Sequence, residues 1–182
     1  RAYSYVNAPE NPDLEFYLIN VKGGLLSPCL AKLQPGETVF IEQRPTGFFT
    51  LDEIPASDQL WMLGTGTAIG PFLSILQQPD VWQKYKSINI VHGVRFNNDL
   101  SYQALFNELL RVHPEQLNYI PVISREEPLQ GLSGRITNAI ENNSLFEYVA
   151  LTPTPNNAQF MICGNPQMVK DTTHYSLIKI LL

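Results

Sequence analysis

The chain has 182 residues, of which 44% are hydrophobic, and a formal net charge of −5. These values are typical of a globular protein with a buried core, built as one large domain or two small ones. The acidic charge argues against a general nucleic-acid-binding surface, although a local basic patch could still receive a phosphate. The two cysteines, Cys29 and Cys163, offer neither a disulfide framework nor a closely spaced metal-binding pair. We therefore expect a cytoplasmic protein without a metal site, and the apolar runs are too short for a membrane span.

The first part of the chain is predicted to form antiparallel strands. Residues 2–7, 15–21 and 38–43 alternate apolar and polar side chains and are separated by turn-forming residues. Ser27 followed by Pro28 predicts an N-cap and a short helix that ends near Leu33.

The pattern changes near residue 55. Apolar runs of strand length at residues 60–63, 88–91, 119–123 and 160–163 alternate with helical stretches such as 69–76 and 100–112. This alternation indicates a parallel sheet covered by helices. In the second helix we expect Leu105, Leu109 and Val112 to face the sheet, with Asp99 as the cap.

The sequence Gly-Thr-Gly-Thr-Ala-Ile-Gly-Pro at residues 64–71 directly follows the first buried strand. Glycines allow close backbone approach, and free amides at the start of a following helix favour a pyrophosphate. This segment, which includes Gly66, is therefore a candidate nucleotide-binding turn. The spacing departs from the dinucleotide fingerprint, so a purely structural turn stays open as the alternative.

Three arginines follow predicted strand or loop ends, at Arg95, Arg125 and Arg135. A guanidinium suits a dianionic phosphate, and a cation rather than a carboxylate beside the adenosine ribose favours NADP over NAD. Any one of these arginines taken alone is better explained as a solvated surface residue, and it is their coincidence at one edge that favours NADP.

Cys163 ends the last apolar run and is followed by Gly164, Asn165 and Pro166. The residues alone favour a buried small thiol and an ordinary strand-to-helix turn.

Four segments together resemble the bacterial branch of the ferredoxin/flavodoxin-NADP(+) reductase family. They are Arg-Ala-Tyr-Ser at 1–4, Gly-Leu-Leu-Ser at 24–27, the glycine-rich segment 64–71 and Cys-Gly-Asn-Pro at 163–166. Shorter likenesses lie at 47–49, 100–102 and 124–126. The resemblance covers nearly all of the chain except its last dozen residues.

The resemblance implies a partial antiparallel β-barrel for FAD at residues 1–55, followed by an α/β parallel-sheet domain for NADP at 56–182. It further implies that the flavin is contacted by Tyr3, Ser4 and Arg1, the last at the phosphates, and that Leu26 and Ser27 lie at the FAD pyrophosphate. Packing within a strand is the alternative for Tyr3.

For the second cofactor, the resemblance places Thr67 near the flavin and nicotinamide and Cys163 beside the nicotinamide. It assigns Arg95, Arg125 and Arg135 to the 2′-phosphate. Ser4 and Cys163 are thus the catalytic candidates. The implied activity is hydride transfer from NADPH to FAD, then single-electron transfer to ferredoxin or flavodoxin.

Three departures from the family pattern bear on activity. The chain starts at an element that the family places inside its barrel, and it lacks the family's C-terminal extension, so we expect a copy truncated at both ends. Cys29 stands where relatives often carry a basic residue. Two alternatives stay open: the reductase component of an oxygenase, and a nucleotide-binding fragment without full activity.

Overall fold

The computed structural model describes residues 2–44 and 46–175. Its centre is a five-stranded parallel sheet with the strand order β4-β3-β2-β1-β5. The strands are β1 (Gln59–Thr65), β2 (Ser87–Val94), β3 (Leu117–Ile123), β4 (Leu132–Ser133) and β5 (Ala158–Cys163). The predicted parallel sheet is confirmed. All four predicted apolar runs lie inside its strands.

Residues 2–44 and 46–175 contain seven α-helices, five of them between strands, one before β1 and one after β5. They are α1 (Ser27–Leu30), α2 (Gly70–Leu76), α3 (Pro79–Lys84), α4 (Gln103–Val112), α5 (Ile136–Glu141), α6 (Ser144–Tyr148) and α7 (Pro166–Thr173). Short 3-10 turns occupy Leu51–Glu53, Gly66–Ile69 and Asn97–Asp99.

Both faces of the sheet are buried, which explains why the strands read as continuous apolar runs rather than as alternating patterns. On one face, Leu60 and Met62 of β1 pack in the same cluster as Phe72 of α2 and Phe106 of α4. On the other face, Trp61 lies edge-on to Phe146 of α6, with the ring centroids 5.1 Å apart.

Helix α4 ends at Val112 as predicted, but it differs from its prediction at the N-terminal end and in its buried face. It starts at Gln103 and not after Asp99, because Tyr102 has a left-handed φ of 60° and interrupts the helical path. The Asp99 carboxylate instead accepts a hydrogen bond from the Phe96 amide at 3.1 Å. Phe106 is the fully buried side chain of this helix, whereas Val112 is 52% exposed, so the buried face is centred on Phe106 and the expectation for Val112 is wrong.

The antiparallel barrel expected for residues 1–55 is not formed in the described part of the chain. Residues 2–44 and 46–58 contain one antiparallel bridge, between Tyr5 and Phe16, and no longer strand pairing. A strand is stable only where neighbouring strands pair with it, and residues 38–43 have none here. Their apolar side chains accordingly face solvent: Phe40 is 99% exposed.

Ser27 does not cap α1. The N-cap is Leu26, and the Ser27 hydroxyl accepts a hydrogen bond from the Val21 amide at 3.1 Å. The helix ends at Leu30, earlier than predicted.

Part of the N-terminal region is nevertheless attached to the α/β domain. Val6 is buried, and its carbonyl accepts a hydrogen bond at 2.8 Å from Nε2 of Gln77, the C-cap of α2. The Asn7 carbonyl accepts one from the Ser74 hydroxyl, also at 2.8 Å. Val6 and Asn7 are thereby held against the C-terminal half of α2.

Among residues 2–44 and 46–175, the helices are all too short or too polar to cross a bilayer. The same residues contain no group of three or more His, Cys, Asp or Glu side chains that could hold a metal ion.

Candidate nucleotide site at the carboxyl edge of the sheet

The strand order creates a crevice between β1 and β5. From β1 the chain adds β2, β3 and β4 on one side, and β5 then returns to the other side of β1. Open parallel sheets bind ligands outside the carboxyl ends of the strands at such a change of direction. The loops after β1 and β5 therefore mark the candidate site.

The loop after β1 is accessible in the 3-10 turn rather than in the helix that follows. Thr65, Gly66 and Thr67 are half-buried, whereas Gly70 and Pro71 at the start of α2 are buried. The expectation that α2 offers open amides is thus wrong, since the accessible backbone lies four residues earlier. Gly66 has a φ of 56°, a left-handed conformation that favours glycine.

The loop after β5 packs directly on the end of β1. Cys163 is the register partner of Gly64, and the Asn165 amide donates to Thr65 Oγ1 at 2.8 Å. Gly164 has a φ of 137°, and a Cβ atom there would lie 2.1 Å from Thr65 Oγ1. Only glycine allows this approach, so the two loops form one continuous wall.

Two groups in that wall have defined chemistry. Cys163 is half-buried, and burial raises the pKa of its thiol, so the neutral thiol is favoured. Asn165 caps α7, its Oδ1 accepting from the amides of Gln167 at 2.9 Å and Met168 at 3.3 Å.

The three candidate arginines come from successive strand ends. Arg95, Arg125 and Arg135 follow β2, β3 and β4, and all three are exposed. The Arg125 amide donates to the Arg95 carbonyl at 2.9 Å, which joins these two loops. Within residues 2–44 and 46–175 none of the three guanidinium groups makes an ion pair, so an anion would find them available.

A buried histidine lies close to the glycine-rich turn. His92 of β2 is fully buried, with Nδ1 3.1 Å from the Tyr119 hydroxyl, which accepts from Gln103 Nε2 at 2.9 Å. Because the Gln103 amide nitrogen can only donate, the Tyr119 proton is free to go to Nδ1, and the ring proton is then on Nε2. Nε2 makes no well-aligned hydrogen bond within the described residues, although the backbone of Gly66 is near enough to favour the protonated ring. Burial is the larger effect and lowers the pKa of His92 to about 4, so the ring is neutral near pH 7.

The expected flavin-binding residues lie in the N-terminal region. Tyr3 is half-buried and Ser4 exposed, next to the bridge at Tyr5. Leu26 and Ser27 lie at the start of α1. Arg1 lies outside the described residues. Among the described residues, Ser27 forms hydrogen bonds with Val21 and Ala31.

Sequence reasoning missed two side chains of this edge: His92, which lies between the glycine-rich turn and Tyr119, and Asn97, which joins the loops after β2 and β3. His92 lies three residues before Arg95 in the sequence, but a sequence pattern does not show which end of a strand a buried ring faces.

A shallow depression lined by Asp58, Lys86 and Gln116 lies at the opposite, amino edge of the sheet.

Comparison with known proteins agrees with this architecture. Residues 62–174 match the family described as "Oxidoreductase NAD-binding domain". The α/β unit therefore defines the class of protein: an oxidoreductase-type nucleotide-binding domain.

More specific relatives extend the match to nearly all of the chain. The flavodoxin/ferredoxin–NADP reductase of Escherichia coli (strain K12) is 49% identical over 172 residues, covering 94% of this chain and 69% of that protein. The ferredoxin–NADP reductase of Pseudomonas aeruginosa is 34% identical over 181 residues, covering 95% of this chain and 69% of that protein. The chain belongs to the flavodoxin/ferredoxin–NADP reductase family.

A solved structure gives the same result in three dimensions. The crystal structure of a ferredoxin NADP+ reductase from Neisseria gonorrhoeae, with bound FAD and NADP, has a TM-score of 0.86 and 39% identity, and covers 94% of this chain and 69% of that chain.

Proposed function

We propose that this protein is a flavoprotein oxidoreductase that passes electrons between NADPH and ferredoxin or flavodoxin through FAD. The observation that carries the proposal is the set of exposed guanidinium groups of Arg95, Arg125 and Arg135 at the carboxyl ends of β2, β3 and β4, which make no ion pair within residues 2–44 and 46–175. It is supported by the 49% identity to a named flavodoxin/ferredoxin–NADP reductase.

The residues at this edge fit NADP. A 2′-phosphate carries two negative charges, and guanidinium forks bind such groups bidentately. We assign Arg95, Arg125 and Arg135 to this phosphate. Gly66 and Thr67, in the accessible 3-10 turn after β1, are assigned to binding of the same nucleotide. The role of Arg95 is supported by register, because Thr65 pairs with Gly93 and thus places the turn beside the end of β2.

Cys163 is assigned to the nicotinamide. Its thiol is half-buried at the end of β5, next to Gly64, and a neutral thiol presents a small, weakly polar surface to a ring. The wall formed by Thr65 and Gly164 limits the space on that side, which supports exclusion of water from the reacting groups.

FAD is assigned to the N-terminal region. Tyr3 would pack on the flavin ring, Ser4 would lie near its reacting nitrogen, and Arg1, Leu26 and Ser27 would approach its phosphates. This assignment is supported by the attachment of Val6 and Asn7 to α2, which brings the segment close to the crevice. In the functional protein we propose that residues 1–55 belong to an antiparallel barrel and residues 56–182 to the nucleotide domain.

When bound, the nicotinamide supplies a hydride to the flavin, and the flavin passes the two electrons on singly. The protein's own residues orient the rings: Tyr3 by stacking, Cys163 by contact, and the arginines by fixing the distal phosphate. We place the protein in the cytoplasm, consistent with the free thiols of Cys29 and Cys163.

The test is a visible absorption spectrum of the chain with FAD kept in solution, before and after anaerobic NADPH, with FAD and NADPH without protein as the control. We expect weak flavin binding, flavin absorption that NADPH bleaches faster when the chain is present, and recovery of the absorption on addition of oxidised flavodoxin. A protein that retains FAD but is not reduced by NADPH would contradict the proposed reaction.

Nucleotide preference gives a second test. Loss of one charged bidentate contact costs about 1.5–3 kcal/mol, or about ten- to a hundredfold in affinity. Arg125→Ala should therefore weaken NADPH by this factor and leave NADH nearly unchanged. Equal affinities of the unaltered protein for the two nucleotides would contradict the arginine assignment.

A second candidate function is a nucleotide-binding module without catalysis. It is favoured by one observation, the single antiparallel bridge found among residues 2–44 and 46–58 beside a fully formed parallel sheet. A chain that binds NADP but no FAD under the same conditions would support it.

A further inference from the structure

Asn97 joins the two loops that carry Arg95 and Arg125. It lies two residues after Arg95, in the turn Asn97–Asp99, and is half-buried. Its backbone amide and its side-chain Nδ2 both donate to Glu126 Oε1, the latter at 2.6 Å. Nδ2 also donates to the Glu127 carbonyl at 3.0 Å. Asn97 Oδ1 accepts from the amide of Leu129, also at 3.0 Å.

These bonds extend a connection that begins in the backbone. The Ser124 amide donates to the Val94 carbonyl at 3.1 Å, and the Arg125 amide donates to the Arg95 carbonyl at 2.9 Å. The Cα atoms of the two arginines are therefore fixed relative to each other from both sides. A preformed pair of cations loses less conformational freedom when it binds a phosphate.

Glu126 is the carboxylate that could neutralise this pair. It directly follows Arg125 in the chain and is exposed. A carboxylate and a guanidinium this close in sequence could form an ion pair, which would occupy the cation and add a negative charge where a phosphate binds. In the described part of the chain Glu126 makes no ion pair, and its Oε1 is held by Asn97 instead.

We infer that Asn97 is a specificity-determining positioning residue: by holding Glu126, it keeps Arg95 and Arg125 unpaired and available to the 2′-phosphate of the nucleotide. The inference rests on the proposed function, which assigns that phosphate to the arginines. Asn97 itself acts through Glu126.

The test is titration calorimetry of the full chain with two ligands that differ in one group, adenosine 2′,5′-bisphosphate and adenosine 5′-monophosphate. In Asn97→Ala, Glu126 keeps only the hydrogen bond from the amide of residue 97, so its carboxylate competes more freely for the arginines, and the loop loses order. We expect affinity for the bisphosphate to fall by about three- to tenfold at low salt, with little change for the monophosphate. Asn98→Ala, at the exposed neighbouring position, is the matched control and should leave both affinities unchanged.

Rescue separates this role from loss of structure. Adding Glu126→Gln to Asn97→Ala removes the competing charge and should restore most of the bisphosphate affinity. A fall of equal size for both ligands, or no rescue by Glu126→Gln, would overturn the inference.

Arg125→Ala distinguishes a failure of the inference about Asn97 from a failure of the proposed function. If Arg125→Ala does not weaken the bisphosphate, the assignment of the phosphate site is wrong. If Arg125→Ala weakens it and Asn97→Ala does not, the phosphate site stands and the inference about Asn97 fails.

Discussion

At the residue scale, His92 makes the stability of the fold depend on pH. Burial lowers its pKa from 6.5 to about 4, so between these values the unfolded chain binds a proton that the folded chain does not. This contribution to the free energy of unfolding is complete above about pH 6.5 and decreases as the pH falls towards about 4. At 1.36 kcal/mol per pKa unit, the loss is about 3 kcal/mol.

Urea unfolding at about pH 7 and about pH 4.5 measures this loss. His92→Gln removes the titrating group, so the variant should lose less stability over the same interval than the unaltered protein. An equal loss in both proteins would assign the acid sensitivity to the carboxylates.

Cys163 is expected to affect turnover more than nucleotide affinity, because its assigned place is beside the nicotinamide and away from the phosphates. Cys163→Ala should slow flavin reduction in a single-turnover experiment and leave NADPH affinity within about twofold. Cys29→Ala, at an exposed thiol, is the matched control. An unchanged rate in Cys163→Ala would return this residue to a purely structural role.

The residues at the strand ends could be found from sequence because apolar runs end there and glycine or arginine follows. The contacts among them could not. Asn97 and Glu126 are far apart in the chain and meet only because β2 and β3 are neighbours in the sheet. A buried histidine likewise gives no signal that distinguishes it from an exposed one.

At the element scale, the end of α6 contains a residue in a strained conformation. Ala150 has a φ of 54° and is exposed, and its amide donates to the Glu147 carbonyl in a helix-terminating turn. Glycine adopts this conformation without steric cost. Ala150→Gly should therefore stabilise the fold by about 0.5–1 kcal/mol, after allowance for the greater freedom of glycine in the unfolded chain.

Ala104 provides the same substitution with the opposite expected sign. It is exposed within α4, where helical φ values favour alanine. Ala104→Gly should destabilise the fold by about 0.5–1 kcal/mol. Thermal unfolding of both variants measures the difference, and a loss of stability in Ala150→Gly would show that the left-handed conformation is not strained.

The buried strands were predicted more accurately than the start of α4, and the reasons are physical. β1, β2, β3 and β5 were found because burial on both faces produces apolar runs in any strand of this kind. The start of α4 was missed because Tyr102 is held outside the helix by distant partners: its hydroxyl donates to Glu15 Oε1 at 2.7 Å, and its ring lies edge-on to Tyr17. A local sequence pattern does not reveal contacts between residues this far apart in the chain.

At the scale of the whole molecule, the two regions should respond differently to their ligands. The parallel sheet has a continuous core on both faces, whereas residues 2–44 contain a single strand bridge. Ligands stabilise only folded forms that contain their site. Adenosine 2′,5′-bisphosphate should therefore raise the Tm of this chain, and FAD should raise it less.

Differential scanning fluorimetry with each ligand at the same concentration measures the two shifts, with adenosine 5′-monophosphate as the control for the 2′-phosphate. A larger shift with FAD would mean that ligand binding completes the N-terminal region, and it would strengthen the assignment of Tyr3 and Ser4 to the flavin.

The position of β5 beside β1 also sets the time at which the crevice forms during synthesis. β1, β2, β3 and β4 are neighbours in both chain order and space, so they can pair as they emerge from the ribosome. The wall of Thr65 and Gly164 forms only after β5 has been synthesised and has paired with β1, from which it is separated by most of the α/β domain's sequence. Pairing between such distant segments is slow and late in folding. A nucleotide that binds across this crevice should therefore prolong the lifetime of the folded state without speeding its formation.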